Sequence, residues 1–210
     1  MNYSDFISKN ISELNDIKQN CTPIPTGGDV LEQAFASPIL QRTGTWVEFG
    51  VFNGLSLQRI VSQKGDAQVY GFDTFEGLPE DWVVDNKIRL PKGTFATKNI
   101  PNIIGAHIIA GLFQNTLHNW QPNEPITFVH IDCDIYSATS CVLTHILPML
   151  GNDTIIVFDE LFNYSGFEDH EMKALYEAHE LGLRYDWLFV HGDKSSSINE
   201  QAALKVNKSK

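Results

Sequence analysis

Cysteine is scarce in this chain. Only Cys21, Cys133 and Cys141 occur, unevenly spaced and without a CxxC pair. So few thiols exclude a disulfide framework and a zinc–thiolate site, and they read as plain reduced cysteines. Basic residues are also few: 15 Lys and Arg stand against 26 Asp and Glu, a formal net charge of −11. Nucleic-acid affinity rests largely on Lys and Arg that neutralise phosphates, so no nucleic acid is expected as partner, and small-molecule or cationic ligands fit better. Long apolar runs are missing too. None approaches the roughly 20 residues that span a bilayer, so no membrane is expected. The N-terminus MNYSDFISKNISELND has neither a basic nor an apolar leader region, which leaves the cytoplasm as the expected compartment. Internal repeats and low-complexity runs are absent.

What remains is an ordinary globular composition, and 210 residues allow one sizeable core but are short for two. From Thr45 onward, β-rich apolar runs alternate with segments of helical period, the pattern of an α/β protein with a mostly parallel sheet covered by helices. The expected strands are TWVEFGV, AQVYGFD, AHIIAGLF, PITFVHID, DTIIVFDE, YDWLFVHG and QAALKVN, seven in all. SLQRIVSQK reads as a helix opened by Ser56. A second helix follows Ser137 with Leu143, Ile146, Leu147 and Leu150 at i, i+3, i+4, i+7, and a third, EDHEMKALYEAHELG, lines up Met172, Leu175, Tyr176 and His179 and ends at Gly182. The last two strands are joined by the polar DKSSSINE, too short for a helical crossover, which predicts an antiparallel hairpin at one edge. Residues 1–40 read as one or two helices with a TPIPTGG linker, a helical or lid segment before a core at 41–210. Residues 79–104 read as a long loop over the sheet that would face substrate.

The first crossover, WVEFGVFNGLSLQ, runs a strand through Glu48, Gly50 and Gly54 into a helix. Glycines there let a ligand approach the backbone, and the helix N-terminus offers unpaired N–H groups. The spacing E-x-G-x-x-x-G lacks the third glycine of the dinucleotide fingerprint, so a pyrophosphate-bearing cofactor is the weaker candidate. Asp73 ends the second strand, where doubly wound sheets present an acid to a ribose diol. Together these residues predict a nucleoside ligand.

VEFGVFNGLS, GFDTFEGLPEDW, FVHIDCDIYSAT and IIVFDELFNYSGFEDHE, in that order, resemble the macrocin-type sugar O-methyltransferases, a class I family dependent on S-adenosyl-L-methionine and a divalent metal. The resemblance implies a Rossmann-like seven-stranded sheet with the seventh strand antiparallel beside the sixth. It also implies that Glu48, Gly50 and Ser56 hold the methionine portion of the cofactor, Asp73 its ribose, and the Gly111-Leu112-Phe113 turn lies near the adenine. Asp132 ends the fourth strand and Asp159-Glu160 the fifth, so at least three carboxylates converge on one crevice. Like charges so close call for a cation, and an oxygen-only ligand set favours Mg2+. The family's metal ligands match Asp132, Asp159 and Glu160, and its D-x-D pattern puts the presumed base at Asp134, which could equally cap the next helix. His130 is more simply a core histidine than a ligand. His170 has either a substrate or metal-supporting role or a helix-start role, His191 has either a role at the functional edge or turn chemistry, and Trp82 and Tyr164 either stack on a sugar or anchor their loops. The expected reaction is methyl transfer to a hydroxyl of a small molecule, a sugar unit foremost. A catechol-like acceptor and a non-catalytic nucleoside-binding protein are the alternatives, and a homodimer is left open.

Overall fold

The computed structural model describes residues 1–20, 29–83, 89–191 and 200–208. Cys21, the TPIPTGG linker, Gly192-Asp193 and the DKSSSINE connection before Glu200 lie outside the described residues. In chain order the elements are α1 (Tyr3–Asn20), α2 (Val30–Ala36), β1 (Thr45–Phe49), α3 (Leu55–Gln63), β2 (Gln68–Asp73), β3 (Trp82–Val83), β4 (Arg89–Leu90), β5 (Ala106–Ala110), α4 (Phe113–Thr116), β6 (Ile126–Ile131), α5 (Tyr136–Ile146), β7 (Leu150–Phe162), α6 (Glu171–Glu180), β8 (Tyr185–Val190) and β9 (Glu200–Val206). No helix among the described residues is long and apolar enough to cross a membrane.

Seven strands form one sheet in the order β5-β2-β1-β6-β7-β9-β8. The first five are parallel, and β9 runs antiparallel to both β7 and β8. This is the Rossmann-like α/β sheet with an edge hairpin that the sequence predicts. Chain order runs outward from β1 to β5 in one direction and from β6 to β7 in the other, so the switch point lies between β1 and β6. That is where a doubly wound sheet opens a crevice for ligand. Every residue of β1 and β6 is buried, as expected of central parallel strands covered on both faces.

Several boundaries differ from those expected. The strand expected to end at Asp159-Glu160 runs on to Phe162, because β9 pairs along it as far as Phe162↔Glu200. The register shifts between Phe158 and Phe162, so the two acids sit on an irregularity inside the strand, a device that re-aims side chains. Gly54, not Ser56, caps α3, in left-handed conformation at φ +83°. The Asn53 side chain accepts from the Leu55 N–H at 3.2 Å, so no hydroxyl cap is needed. The third expected strand stops at Ala110, and Phe113 opens the four-residue α4. The helix expected to carry Leu147 and Leu150 ends at Ile146. Pro148 has no N–H to continue it, the chain tightens into a 3-10 turn, and Leu150 begins β7. Gly182 does follow the end of α6 at φ +111°, its N–H bonded to the His179 carbonyl at 3.1 Å.

The N-terminal segment is part of the core. Phe6 and Leu14 of α1 are fully buried in the same apolar cluster as the central strands, and the Phe6 ring packs 5.2 Å from Tyr176 and 5.3 Å from His179 of α6. Asn10, buried on the same face, accepts from Tyr185 Oη at 2.8 Å and Trp187 Nε1 at 2.9 Å, which fastens α1 to β8. Replacing a buried aromatic ring by a methyl group loses transfer energy and leaves a cavity. Phe6→Ala is therefore expected to lower unfolding free energy by about 3–5 kcal/mol in urea titration, whereas a freely hinged segment would give almost no change.

Candidate active site

The crevice is organised by strand register. Glu48 pairs with His130 across β1 and β6, and the next pair in line is Phe49↔Ile131. Side chains two apart share a face, so His130 and Asp132 point the same way. The His130 ring is buried, with Nδ1 2.8 Å from Glu48 Oε1 and Nε2 3.8 Å from Asp159 Oδ1. Burial opposes charge on this imidazole, but the hydrogen bonds and fields of Asp159 and Glu48 outweigh it and hold the ring protonated well above its ordinary range. Burial pushes the Glu48 carboxyl up, against the pull of His130 and of the Ser56 hydroxyl. Its second oxygen, Oε2, is buried without a hydrogen-bond partner.

The first crossover is tightly built. Gly50 has φ +92°, and a Cβ there would lie 1.8 Å from the Asp132 carbonyl oxygen; at Gly54 a Cβ would come within 2.5 Å of Ile103 Cδ1. Only glycine lets β1 and β6 part this closely at the crevice floor. Asp73 closes the turn from the side: Oδ2 accepts the N–H groups of Val51 (2.8 Å) and Phe52 (2.7 Å), and Oδ1 that of Phe75 (2.7 Å). Gly111, at φ +139°, bonds its N–H to the Asp73 carbonyl at 2.8 Å. The Phe113 ring, two residues on, meets Phe49 edge-on at 5.6 Å. Glu48, Gly50, Gly54, Ser56, Asp73, Gly111 and Phe113 thus lie around the carboxyl ends of β1, β2 and β5.

The acids meet at the ends of β6 and β7. One carboxylate oxygen each of Asp132, Asp134 and Glu160 lies within 4.8 Å of the others, a spacing that a cation could bridge. Asp159 lies beside this triplet, its Oδ1 accepting from Gln201 Nε2 of β9 and facing His130. Burial first, then the field of Asp159, raises the carboxyls of Asp132 and Glu160 well above their usual range. The Asp159 carboxyl, despite its burial, is held low by His130 and Gln201. Asp134 does not cap α5: Ile135 takes the N-cap position without a side-chain bond. Asp134 sits instead at φ +62°, a left-handed conformation costly for a residue with a side chain, and burial with the field of Asp159 pushes its carboxyl up to about 7. Cys133, between the two acids, packs into the core with Sγ 3.5 Å from the Phe49 carbonyl.

Further polar and aromatic groups lie around the triplet. Glu171 is fully buried at the start of α6, and neither of its carboxylate oxygens has a hydrogen-bond partner. A signal was present: Glu171, Ala174, Leu175 and Ala178 stand at i, i+3, i+4, i+7, so an acid heads an otherwise apolar stripe. Gln201 gave no such sign, since only the antiparallel insertion of β9 brings it to Asp159. His170, Tyr164 and Trp82 form a row: His170 stacks on Tyr164 at 6.1 Å and meets Trp82 edge-on at 6.2 Å, and its Nε2 bonds the Val83 carbonyl at 3.0 Å. His191 extends the β8–β9 ladder through its N–H to the Gln201 carbonyl at 3.0 Å. A depression of about 990 Å³ lies at the opposite ends of the strands beside Thr43, Glu124 and Asn152. None of the crevice acids borders it, and chemistry outweighs volume in choosing the site.

The strand order, the inserted antiparallel β9 and the glycine-lined first crossover define the fold of class I methyltransferases. Residues 47–161, more than half of the chain, match the family described as "Methyltransferase domain", and the chain belongs to that family of S-adenosylmethionine-dependent enzymes. No curated protein matches it in sequence. Among solved structures it is similar to CalS11, a calicheamicin methyltransferase, at 21% identity over 94% of this chain and 91% of that one, TM-score 0.62. The O-methyltransferase NovP is similar at 15% identity over 85% and 78%, TM-score 0.62. An O-methyltransferase from Bacillus cereus, solved in complex with SAH, is similar at 17% identity over 98% and 90%, TM-score 0.54.

The raised Asp134 carboxyl has a thermodynamic consequence. Folded, it binds its proton up to about 7; unfolded, only to the ordinary 3.8. In that window the native state carries the extra proton, so stability falls as pH rises. In chelator, the melting temperature by calorimetry is expected to be higher at about pH 6 than at about pH 8, and Asp134→Asn should shrink the difference. A melting temperature that climbs over that interval contradicts the assignment.

Proposed function

We propose that the chain methylates a hydroxyl of a small molecule, foremost a sugar unit, with Mg2+ at the acidic crevice and Asp134 as base. The observation that carries this reading is the convergence of Asp132, Asp134 and Glu160 within 4.8 Å beside the β1/β6 switch point. A cluster of half-buried carboxyls with raised proton affinity, in which Glu160 Oε2 has no hydrogen-bond partner, fits a hard divalent ion. When bound, S-adenosylmethionine supplies an activated methyl group and the ion lowers the pKa of the acceptor hydroxyl.

The chain's own residues do the rest. The unpartnered Glu48 Oε2 suits the ammonium of the cofactor's methionine portion, and Gly50, Gly54 and Ser56 let that portion lie against the backbone. Asp73 retains acceptor capacity on Oδ1, which takes one N–H, for a ribose hydroxyl. Gly111 and Phe113 flank the place of the adenine. Asp132 and Glu160 would hold the ion, with Asp159 as third ligand once it leaves Gln201. Asp134 reaches the same point, which favours the base role. A sugar acceptor draws support from CalS11, described as a TDP-rhamnose 3'-O-methyltransferase and similar over 94% of this chain at TM-score 0.55.

Asp134→Asn keeps the shape and removes the base. It is expected to lower kcat by about 10²–10⁴-fold on an alcohol acceptor, and far less on catechol, whose hydroxyl is more acidic. Calorimetric binding of S-adenosylhomocysteine should stay at the wild-type value. Mass-spectrometric counting of methyl transfer to a set of nucleotide hexoses, with and without chelator, tests both parts. Full turnover in chelator would refute the metal role.

A further inference from the structure

The first N–H groups of a helix have no partner within the helix and must find one elsewhere. In α2 the Asp29 side chain takes the Glu32 N–H at 2.9 Å, and the Val30 N–H goes outside the helix, to Gln201 Oε1 of β9 at 3.1 Å. The other end of the same amide, Nε2, donates to Asp159 Oδ1. Chemistry fixes that orientation: a backbone N–H can only donate and a carboxylate only accept, so the carbonyl end of Gln201 must face Val30 and its NH2 end Asp159. Asp29 is in turn clamped by Arg59 of α3, whose Nη1 and Nη2 lie 2.7 Å and 2.8 Å from its two oxygens. The start of α2 is thereby held in place, and Gln201 passes its position to one acid at the crevice. The neighbouring Glu200 makes a separate clip, accepting from Lys18 of α1 and from Asn163 Nδ2 at 2.6 Å, which fastens α1 to the residue just past the end of β7.

An Asp159 oxygen engaged by Gln201 competes with any cation for the same lone pairs, and hydrogen bonds to a charged group are among the stronger ones. An amide anchored at its far end also has fewer orientations in which to follow the carboxylate as it turns. We infer that Gln201 is a positioning residue that withholds Asp159 from the divalent ion, and that the Val30 N–H, by orienting the amide, makes metal affinity depend on the seat of α2. Such coupling is reciprocal: as the seat of α2 weakens ion binding, the ion weakens the seat of α2 by the same factor. The inference rests on the metal reading of the acidic crevice and adds to it the residue that sets how readily the third ligand is released. It gives α2 a part in the site although no residue of α2 belongs to the acidic triplet.

Gln201→Met keeps the length of the side chain and removes both hydrogen-bonding ends, and Val30→Pro removes the N–H that orients the amide. Proline suits the first helical position, and Asp29 before it is already extended at φ −133°, ψ 177°. Lys18→Met, which cuts the α1 clip instead, is the control. A thermal melt establishes that each variant folds; Gln201→Leu replaces Gln201→Met should that one fail, and the exchange measurement on wild type carries the part given to α2 should Val30→Pro fail. Titration calorimetry with Mg2+, and with Mn2+ as a second ion, is expected to show binding about tenfold tighter to Gln201→Met and about threefold tighter to Val30→Pro than to wild type, with Lys18→Met equal to wild type. In wild type, Mg2+ should speed hydrogen exchange in peptides covering residues 29–36, and in Gln201→Met it should leave that exchange unchanged. Equal or weaker ion binding by Gln201→Met overturns the inference, as does tightening of the same size in Lys18→Met. Val30→Pro at the wild-type affinity, or exchange in wild type that Mg2+ does not alter, overturns the part given to α2. Wild type that binds neither ion overturns the metal reading itself, whereas ion binding that no variant changes overturns the inference alone.

Discussion

Burying several carboxylates at one point is costly unless positive charge or hydrogen bonds compensate, and the arrangement around the crevice follows from that cost. The compensation inside the protein is His130, held between Glu48 and Asp159. It links Glu48 of β1 to Asp159 of β7, two acids that would otherwise lie uncompensated. Removing it would leave Glu48 buried with no charge to balance it. The second device is Gln201, which occupies Asp159 from β9. What these two do not neutralise is the triplet Asp132, Asp134 and Glu160, and there the carboxyls keep their protons to unusually high pH.

Backbone geometry creates this concentration of charge and also limits it. The β1/β6 switch point brings the strand ends together, Gly50 lets the chain pass against the Asp132 carbonyl, and the register shift in β7 keeps Asp159 and Glu160 at the crevice while the strand continues. Asp134 is presented by a left-handed turn just before α5. Strained positions of this kind persist where surrounding structure over-determines them. Here the surrounding structure is apolar: Cys133 and Ile135, on either side of Asp134, are both buried.

Much of this was readable from residue order. Alternation of apolar runs with helical periods identified the parallel sheet, the short polar connection identified the antiparallel hairpin, and Glu48, Gly50, Gly54 and Asp73 marked the first two strand ends. Helix and strand ends were less legible, because pairing and proline chemistry settled them: β9 carried β7 past Asp159, and Pro148 cut α5 short of Leu150. Glu171 shows a middle case. Its place at the head of an apolar stripe was visible, but an acid in the first turn of a helix is ordinarily a dipole-compensating surface residue.

The sequence by itself determined the class of fold, the glycine-lined crossover and the acids at the ends of the expected strands, since these depend on local period, backbone freedom and chain order. Only the tertiary structure decided which acids share a point. Asp134 joined Asp132 and Glu160, and Asp159 turned to His130 and Gln201, because direction is set by contacts between residues distant in sequence. The same holds for Trp82, Tyr164 and Glu171. They belong to three separate segments, and it is tertiary packing, not local pattern, that buries their polar atoms.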